Sequence, residues 1–174
     1  EDKTGLKRNS LFGNDVHQTQ IAPKEFVEKL IAGKEAQLTK DFMICARIES
    51  LILQKGMEDA ISRAEMYISA GADAIMIHSN KKDGKEILEF MRIIREDIGS
   101  KIPIVLVPTS YCEISYQDLV IAGANIIIYA NHMLRAAYPG MAKVAKSILE
   151  NGCSSSMEKN MLSIKEILEI SGGI

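Results

Sequence analysis

The fold of this chain is decided by one stretch, SAGADAIMIHS at residues 69–79. It contains the end of a helix, a glycine turn, and an apolar strand that ends in polar residues. A similar stretch, IAGANIIIYAN, occupies residues 121–131, so one strand-and-helix unit recurs along the chain. The apolar run is continuous instead of alternating, which is typical of parallel strands buried on both faces.

Working outward from these stretches, apolar runs alternate with amphipathic segments. Strands are predicted at about residues 42–47, 72–78, 103–108 and 125–130. Helices are predicted at about residues 23–37, 56–70, 83–98 and 114–122, then from 132 to about 149 and from about 162 to 171. Pro139-Gly140 predicts a kink or break in the long helix. Residues 3–22 are predicted as a loop and residues 151–160 as a polar linker.

Polar residues end the predicted strands, and this pattern distinguishes two architectures. They are Arg47 and Glu49, His78 and Ser79, Thr109, and Asn131. Both a (β/α)8 barrel and an open parallel sheet place their sites at such strand ends. An open sheet usually carries a glycine-rich phosphate loop, which is lacking here, so a barrel is favoured. A complete barrel has eight strands in about 250 residues, whereas this chain offers four, with a possible fifth that ends at Glu1. We therefore expect a partial barrel, the rest of which is absent from this chain or supplied by another one.

The composition excludes several classes of function. The 174 residues carry 21 Lys and Arg against 23 Asp and Glu, a net charge of -2, so no basic excess predicts nucleic-acid binding. No apolar run reaches the roughly 18 residues of a membrane span. Cys45, Cys112 and Cys153 are widely spaced and odd in number, which predicts neither a disulfide framework nor a metal site. A reducing cytoplasm is the expected location.

The sequence pattern alone does not decide between a functional and a structural role for the polar residues at the strand ends and in the loop. Arg47 can offer a two-pronged fork to phosphoryl or carboxylate oxygens, or it can simply form a salt bridge with Glu49. His78 can donate to an anionic oxygen and become charged near neutral pH, or it can be a hydrogen-bonded packing residue. Lys7, taken alone, would be read as a solvated loop residue.

Several motifs in order resemble the phosphoenolpyruvate mutases of the isocitrate lyase superfamily. The opening Glu1-Asp2-Lys3, followed after five residues by Asn9-Ser10, is similar to the family's signature loop. The resemblance continues through ICARIES at 44–50, AGADAIMIHS at 70–79, IVLVPT at 104–109 and ANHMLRAA at 130–137. It implies an α/β fold: the C-terminal half of a (β/α)8 TIM-type barrel with an extra C-terminal helix.

The resemblance also implies an activity, the interconversion of phosphoenolpyruvate and phosphonopyruvate. This is an intramolecular phosphoryl transfer that forms the P–C bond in phosphonate biosynthesis. The family positions imply that Arg47 and His78 surround the migrating phosphoryl group. They also imply that residues 3–15 form a gating loop, in which Asn9 closes over the phosphoryl group, Lys7 adds positive charge and Ser10 assists in binding.

Mg²⁺ is the cofactor that the resemblance implies. Glu1 matches the family carboxylate that holds a metal-bound water, and the direct ligands lie upstream of Glu1. The isolated chain is therefore expected to bind Mg²⁺ weakly and to be inactive.

Two other functions are alternatives to the mutase, and the C-terminal residues suggest an oligomeric assembly. Phosphonopyruvate hydrolase shares the barrel, although Asn9 and Ser10 favour the mutase. A non-catalytic half-barrel that serves as an assembly module is the other alternative. The absence of cysteine from the loop at residues 7–10 argues against the C–C lyases of the superfamily.

Residues 1–150 are expected to form the partial barrel. Residues 151–174 would be a linker and a helix exchanged between the subunits of a homodimer or homotetramer.

Overall fold

The computed structural model describes residues 1–5 and 18–172 of the chain. It divides into two compact units, Glu1–Tyr129 and Ala130–Ile174. The first unit contains, in order, β1 (Lys3–Thr4), β2 (Thr19–Gln20), α1 (Pro23–Glu35), β3 (Cys45–Ile48), α2 (Gly56–Ser69), β4 (Ala74–Ile77), α3 (Lys85–Arg92) with a π-helical turn (Ile93–Asp97), β5 (Ile104–Leu106), α4 (Tyr116–Ile121) and β6 (Ile126–Ile127). The second unit contains α5 (His132–Asn151), a 3-10 turn (Glu158–Asn160) and α6 (Ile164–Ile170).

Four parallel strands form the sheet in the order β3-β4-β5-β6, so each strand pairs with the next one along the chain. A right-handed crossover helix joins parallel neighbours in such units; here α2, α3 and α4 are the connections. This consecutive order is that of a (β/α)8 barrel wall, which confirms the predicted fold class. The backbone N–H of Asp2 donates to the carbonyl of Arg47 at 3.1 Å, so the chain start lies beside the end of β3.

The core lies between the sheet and its helices. The strands β3, β4 and β5 contribute almost completely buried residues to it, as the continuous apolar runs predict, whereas Ile126 of the edge strand β6 is 45% exposed. The largest of them are Ile48, Ile75, Ile77, Ile104 and Leu106, and the helices add Tyr67, Ile87, Phe90, Met91, Ile94 and Leu119. Each large apolar side chain stabilises the fold by about 1.5–3 kcal/mol when fully buried. The packing therefore fixes the strand ends, and with them the polar residues that follow.

Arg95 ties together the amino-terminal ends of β5 and β6, opposite the polar strand ends. Its Nη1 donates to the carbonyls of Ser100 and Ile102, both at 2.8 Å. Its Nη2 donates to the carbonyl of Gly123 and to Oδ1 of Asn125, also at 2.8 Å. Five donors in a fixed plane make arginine suited to collecting several acceptors. This side chain therefore supplies donors to three backbone carbonyls in the loops that precede β5 and β6.

Three details of the predicted elements differ in the structure. Within the predicted loop 3–22, β1 and β2 form a short antiparallel pair, while residues 6–17 lie outside the described residues. The third predicted helix ends in a π-helical turn. Of the predicted kink or break at Pro139, no break occurs, because α5 runs without interruption from His132 to Asn151. A proline removes one hydrogen bond from a helix, and the remaining turns of this 20-residue helix form around it.

In the described part of the chain, no helix is long and apolar enough to cross a membrane.

Candidate active site at the strand ends

Four charged side chains meet where the chain start lies beside the end of β3. Nε of Arg47 lies 2.6 Å from Oε1 of Glu49, and Nζ of Lys3 lies 3.1 Å from the other oxygen, Oε2. Glu1 completes the cluster, with its carboxylate oxygens 3.8 Å from Nε of Arg47 and 3.9 Å from Nζ of Lys3. Two cations and two carboxylates therefore alternate around a small area. We call these four residues the charged cluster.

Glu49 is the centre of this cluster because it is completely buried. Its side chain has no exposed area, and that of Lys3 is 2% exposed, whereas those of Arg47 and Glu1 are 29% and 22% exposed. A buried carboxylate requires cationic or hydrogen-bonding partners, and Lys3 and Arg47 provide them. The salt bridge that the sequence left as an alternative for Arg47 is thus present. It does not exclude a role in binding, because the Arg47 side chain is still partly exposed.

His78 follows β4 directly and lies beside Glu49, because Ile77 and Ile48 are paired in the sheet. His78 is 5% exposed, and burial lowers the pKa of its imidazole. The positive charge of Arg47 lowers the pKa further, against the opposing effect of Glu49, and Lys3 also lowers it. The neutral ring is therefore favoured at neutral pH. The residues alone left open whether His78 becomes charged near neutral pH, and the lowered pKa favours the uncharged form.

Two buried polar atoms at these strand ends have no hydrogen-bond partner within the described residues. They are Nδ1 of His78 and Oγ1 of Thr109, which follows β5. Buried polar atoms in proteins are hydrogen-bonded in the great majority of cases. A bound molecule or a water at the strand ends would satisfy both atoms. Thr109 was noted in the sequence as a strand end but was not assigned to the site.

The structure places only part of the predicted site. Glu1, Arg47 and His78 come together at the carboxyl ends of neighbouring strands, from positions up to 77 residues apart in the sequence. Lys7, Asn9 and Ser10 lie outside the described residues. Sequence reasoning missed Lys3 as a member of the cluster. The signal was present, because side chains of an extended chain alternate in direction and Lys3 is two residues from Glu1.

The described residues do not form a complete site for a divalent cation. No group of three or more histidine, cysteine, aspartate or glutamate side chains suited to a metal occurs among residues 1–5 and 18–172. Asp2 and Glu49 are fully buried and hydrogen-bonded to other groups. Glu1 is partly exposed and has carboxylate chemistry that suits a water of a hydrated Mg²⁺. It fits an outer position at such an ion, and other ligands would be needed for direct coordination.

Comparisons with known proteins agree on one family. The family model described as phosphoenolpyruvate phosphomutase matches residues 1–149. A phosphoenolpyruvate phosphomutase of Tetrahymena pyriformis is 37% identical over 173 residues, which is 99% of this chain and 56% of that protein. The chain thus spans about half the length of the curated relatives it matches.

Two solved structures share both fold and sequence similarity with this chain. The phosphoenolpyruvate phosphomutase of Streptomyces platensis subsp. rosaceus superimposes with a TM-score of 0.87 at 34% identity, covering 98% of this chain and 57% of that one. A phosphonopyruvate hydrolase in complex with oxalate and Mg²⁺ gives a TM-score of 0.82 at 35% identity, covering 99% and 57%. These similarities include a mutase and a hydrolase at nearly equal identity.

Proposed function

The chain belongs to the phosphoenolpyruvate phosphomutase family, and we propose that it forms part of an enzyme that interconverts phosphoenolpyruvate and phosphonopyruvate. The observation that carries this proposal is the charged cluster beside a buried, neutral His78 at the carboxyl ends of parallel strands. That end of a barrel sheet is where catalytic residues of this fold lie.

The reaction has simple requirements. The P–O bond of phosphoenolpyruvate breaks with its electron pair going to oxygen, which leaves the pyruvate enolate and a metaphosphate-like group. The enolate carbon then bonds to phosphorus, so no atom enters or leaves. Phosphoryl transfer is largely dissociative, and catalysis consists mainly of positioning and charge stabilisation. The site must therefore hold two fragments together and keep water out.

The described residues meet part of this requirement. We propose that Arg47 binds phosphoryl oxygens through its terminal nitrogens, while Glu49 holds Nε and so fixes the plane of the guanidinium group. The neutral His78 donates a ring N–H to another phosphoryl oxygen, consistent with its unsatisfied Nδ1. By family resemblance, Lys7, Asn9 and Ser10 belong to a gating loop that closes over the phosphoryl group and excludes water.

We propose Mg²⁺ as the cofactor, with direct ligands from residues outside these 174. A bound Mg²⁺ stabilises the negative charge of the enolate and carboxylate oxygens. Glu1 would accept a hydrogen bond from one of its waters, and Lys3 and Arg47 on either side hold the Glu1 carboxylate in place. The related hydrolase structure that contains oxalate and Mg²⁺ supports this assignment.

Product analysis of the complete protein that contains this chain tests the function. Phosphonopyruvate would be incubated with protein and Mg²⁺ and followed by phosphorus NMR. A mutase gives phosphoenolpyruvate, and we favour this outcome because Asn9 and Ser10 match the mutase motif. Pyruvate and inorganic phosphate would establish a hydrolase instead. A folded protein that forms neither product would establish the non-catalytic assembly module. The 174-residue chain alone is expected to be inactive in the same assay.

We also propose that the second unit mediates assembly into homodimers or homotetramers by exchange of α6. Exposed apolar side chains occur along α5 and α6, namely Met133, Leu134, Tyr138, Met141, Leu149, Ile164, Ile167 and Ile170. Exposed apolar surface on this scale is usual at protein interfaces. Sedimentation of the complete protein tests this, and a monomer would contradict it.

We propose a reducing cytoplasmic location for the protein. The three cysteines, Cys45, Cys112 and Cys153, are unpaired, which supports this proposal.

A further inference from the structure

Asp2 lies between Glu1 and Lys3, two members of the charged cluster, but its side chain takes part in a different network. The carboxylate is completely buried. Its Oδ2 accepts hydrogen bonds from Nε2 of Gln20 at 2.8 Å, from the hydroxyl of Tyr67 at 2.9 Å and from Nη1 of Arg63 at 3.3 Å. Its Oδ1 accepts one from the backbone N–H of Glu49 at 2.9 Å. Both oxygens are therefore fixed by residues from three separate parts of the chain.

The partners of Asp2 are themselves held in place. Arg63, on α2, donates from Nε to Asp59 at 2.9 Å and from Nη1 to the carbonyl of Ile21 at 2.9 Å. Ser50 donates to Asp59 at 2.6 Å and accepts from Gln20 at 2.9 Å. The network thus connects α2, the residue after Glu49, and the segment that follows β2. It has few alternative arrangements, since each main donor already has an acceptor.

The backbone of Asp2 is also held at both polar atoms. Its N–H donates to the carbonyl of Arg47 at 3.1 Å, and its carbonyl accepts from the N–H of Ile21 at 2.8 Å. In an extended chain, successive side chains point to opposite sides. Glu1 and Lys3 accordingly reach the charged cluster while Asp2 faces α2. A movement of residue 2 would therefore move both of its neighbours.

Stability alone does not explain such a network. A buried ion pair often contributes no more than a well-packed apolar group of the same size, because both charges lose their hydration. What the network does provide is a defined position for one short segment. We propose that Asp2 is a positioning residue, whose buried carboxylate holds Glu1 and Lys3 at their distances from Arg47 and Glu49. The inference rests on the proposed function and extends it to a residue that does not contact substrate.

The substitution Asp2→Asn in the complete protein tests this. Asparagine has nearly the same shape, but its NH₂ group would face donors at Oδ2 where the carboxylate accepts three hydrogen bonds. We expect kcat for phosphonopyruvate conversion to fall about tenfold or more, since outer partners of metal-site residues have effects of about 10–100-fold. Binding of Mn²⁺, a spectroscopic substitute for Mg²⁺, should weaken by a similar factor when titrated by electron paramagnetic resonance.

A matched control is Asp73→Asn, at the opposite end of the sheet. Asp73 also accepts a backbone N–H, that of Ile44 at 2.8 Å, and a cation, Lys34, at 2.8 and 2.9 Å. This variant should unfold at a lower temperature with unchanged kcat and Mn²⁺ binding. A folded Asp2→Asn protein with unchanged kcat and Mn²⁺ binding would overturn the proposal. So would equal losses in both variants, because they would reflect general destabilisation.

A milder variant keeps the test decisive if Asp2→Asn does not fold. Tyr67→Phe removes one neutral donor to Asp2 and leaves the ring that packs against Phe26. It should lower kcat and weaken Mn²⁺ binding by a few-fold, and unchanged values would refute the positioning role. If the unmodified protein forms no product, the proposed function fails. The Mn²⁺ titrations still report whether Asp2 positions Glu1.

Discussion

Oε1 of Glu49 and Nε of Arg47 are 2.6 Å apart, a distance typical of a strong, charge-assisted hydrogen bond. The carboxylate is fully buried, while the arginine side chain is 29% exposed. The buried residue therefore determines the direction of the exposed one. Arg47 reaches the strand-end region with its Nε held by Glu49, which leaves the guanidinium plane little freedom to rotate.

Substitution of Arg47 by lysine should reduce activity strongly and stability little. The ammonium group retains the charge but cannot contact Glu49 and a phosphoryl group in the same planar geometry. We expect kcat/KM for phosphonopyruvate to fall by about 100-fold or more, the usual effect of removing one donor from a developing negative charge. Steady-state kinetics and thermal unfolding of the complete protein measure both effects. Activity equal to that of the unmodified protein would exclude Arg47 from substrate binding.

Substitution of Glu49 by glutamine should be strongly destabilising. The change leaves the buried ammonium of Lys3 without its closest anion, at 3.1 Å. Breaking one partner out of a buried ion pair lowers the free energy of unfolding by about 3–5 kcal/mol, which urea denaturation would detect. The matched control is Glu150→Gln, which removes the partner of the exposed Lys146 and should change little. Similar losses in the two variants would contradict the central place of Glu49.

His78 should make stability depend on pH. Its pKa is lowered in the folded protein, first by burial and then by Arg47. Below the usual histidine value of about 6.5, the unfolded chain takes up a proton at this position more readily than the folded one. The contribution is therefore fully present above that pH and is lost as the pH falls towards the lowered pKa. Urea denaturation between about pH 7 and pH 5 should show a smaller decrease for His78→Asn than for the unmodified protein. Equal slopes would indicate that His78 is not the group responsible.

Arg95 should contribute to stability without affecting catalysis. Arg95→Lys would remove the planar set of donors from the carbonyls of Ser100, Ile102 and Gly123, while Oδ1 of Asn125 would still accept from the N–H of Ile104. Unsatisfied, partly buried acceptors reduce the free energy of unfolding by about 1–3 kcal/mol. Arg92→Lys, in the same helical region but paired with exposed Asp97, is the control and should be nearly neutral. A loss of kcat in Arg95→Lys would show that the two ends of the strands are coupled.

The sequence alone predicts the structural features that depend on local patterns of residues. Continuous apolar runs such as the one ending at Ile77 predict buried parallel strands, and the polar residue that follows each run predicts the site end of the sheet. Contacts between distant residues leave no such pattern. The bond between Asp2 and Tyr67 joins residues 65 positions apart, and the bond between Lys3 and Glu49 joins residues 46 apart. A charged residue at a chain start is ordinarily solvated, so only the three-dimensional structure reveals that both are buried.

The last strand of the sheet, β6, has a consequence for how the chain behaves outside its complete protein. A terminal strand exposes backbone donors and acceptors that can pair with another molecule. The exposed edge is short, because β6 has only two residues. However, Ile126 in this strand and Ile128 and Tyr129 directly after it are exposed and largely apolar. We expect the 174-residue chain, handled alone, to form concentration-dependent aggregates through this edge. A charged substitution such as Ile128→Lys would then act as a gatekeeper and raise its solubility.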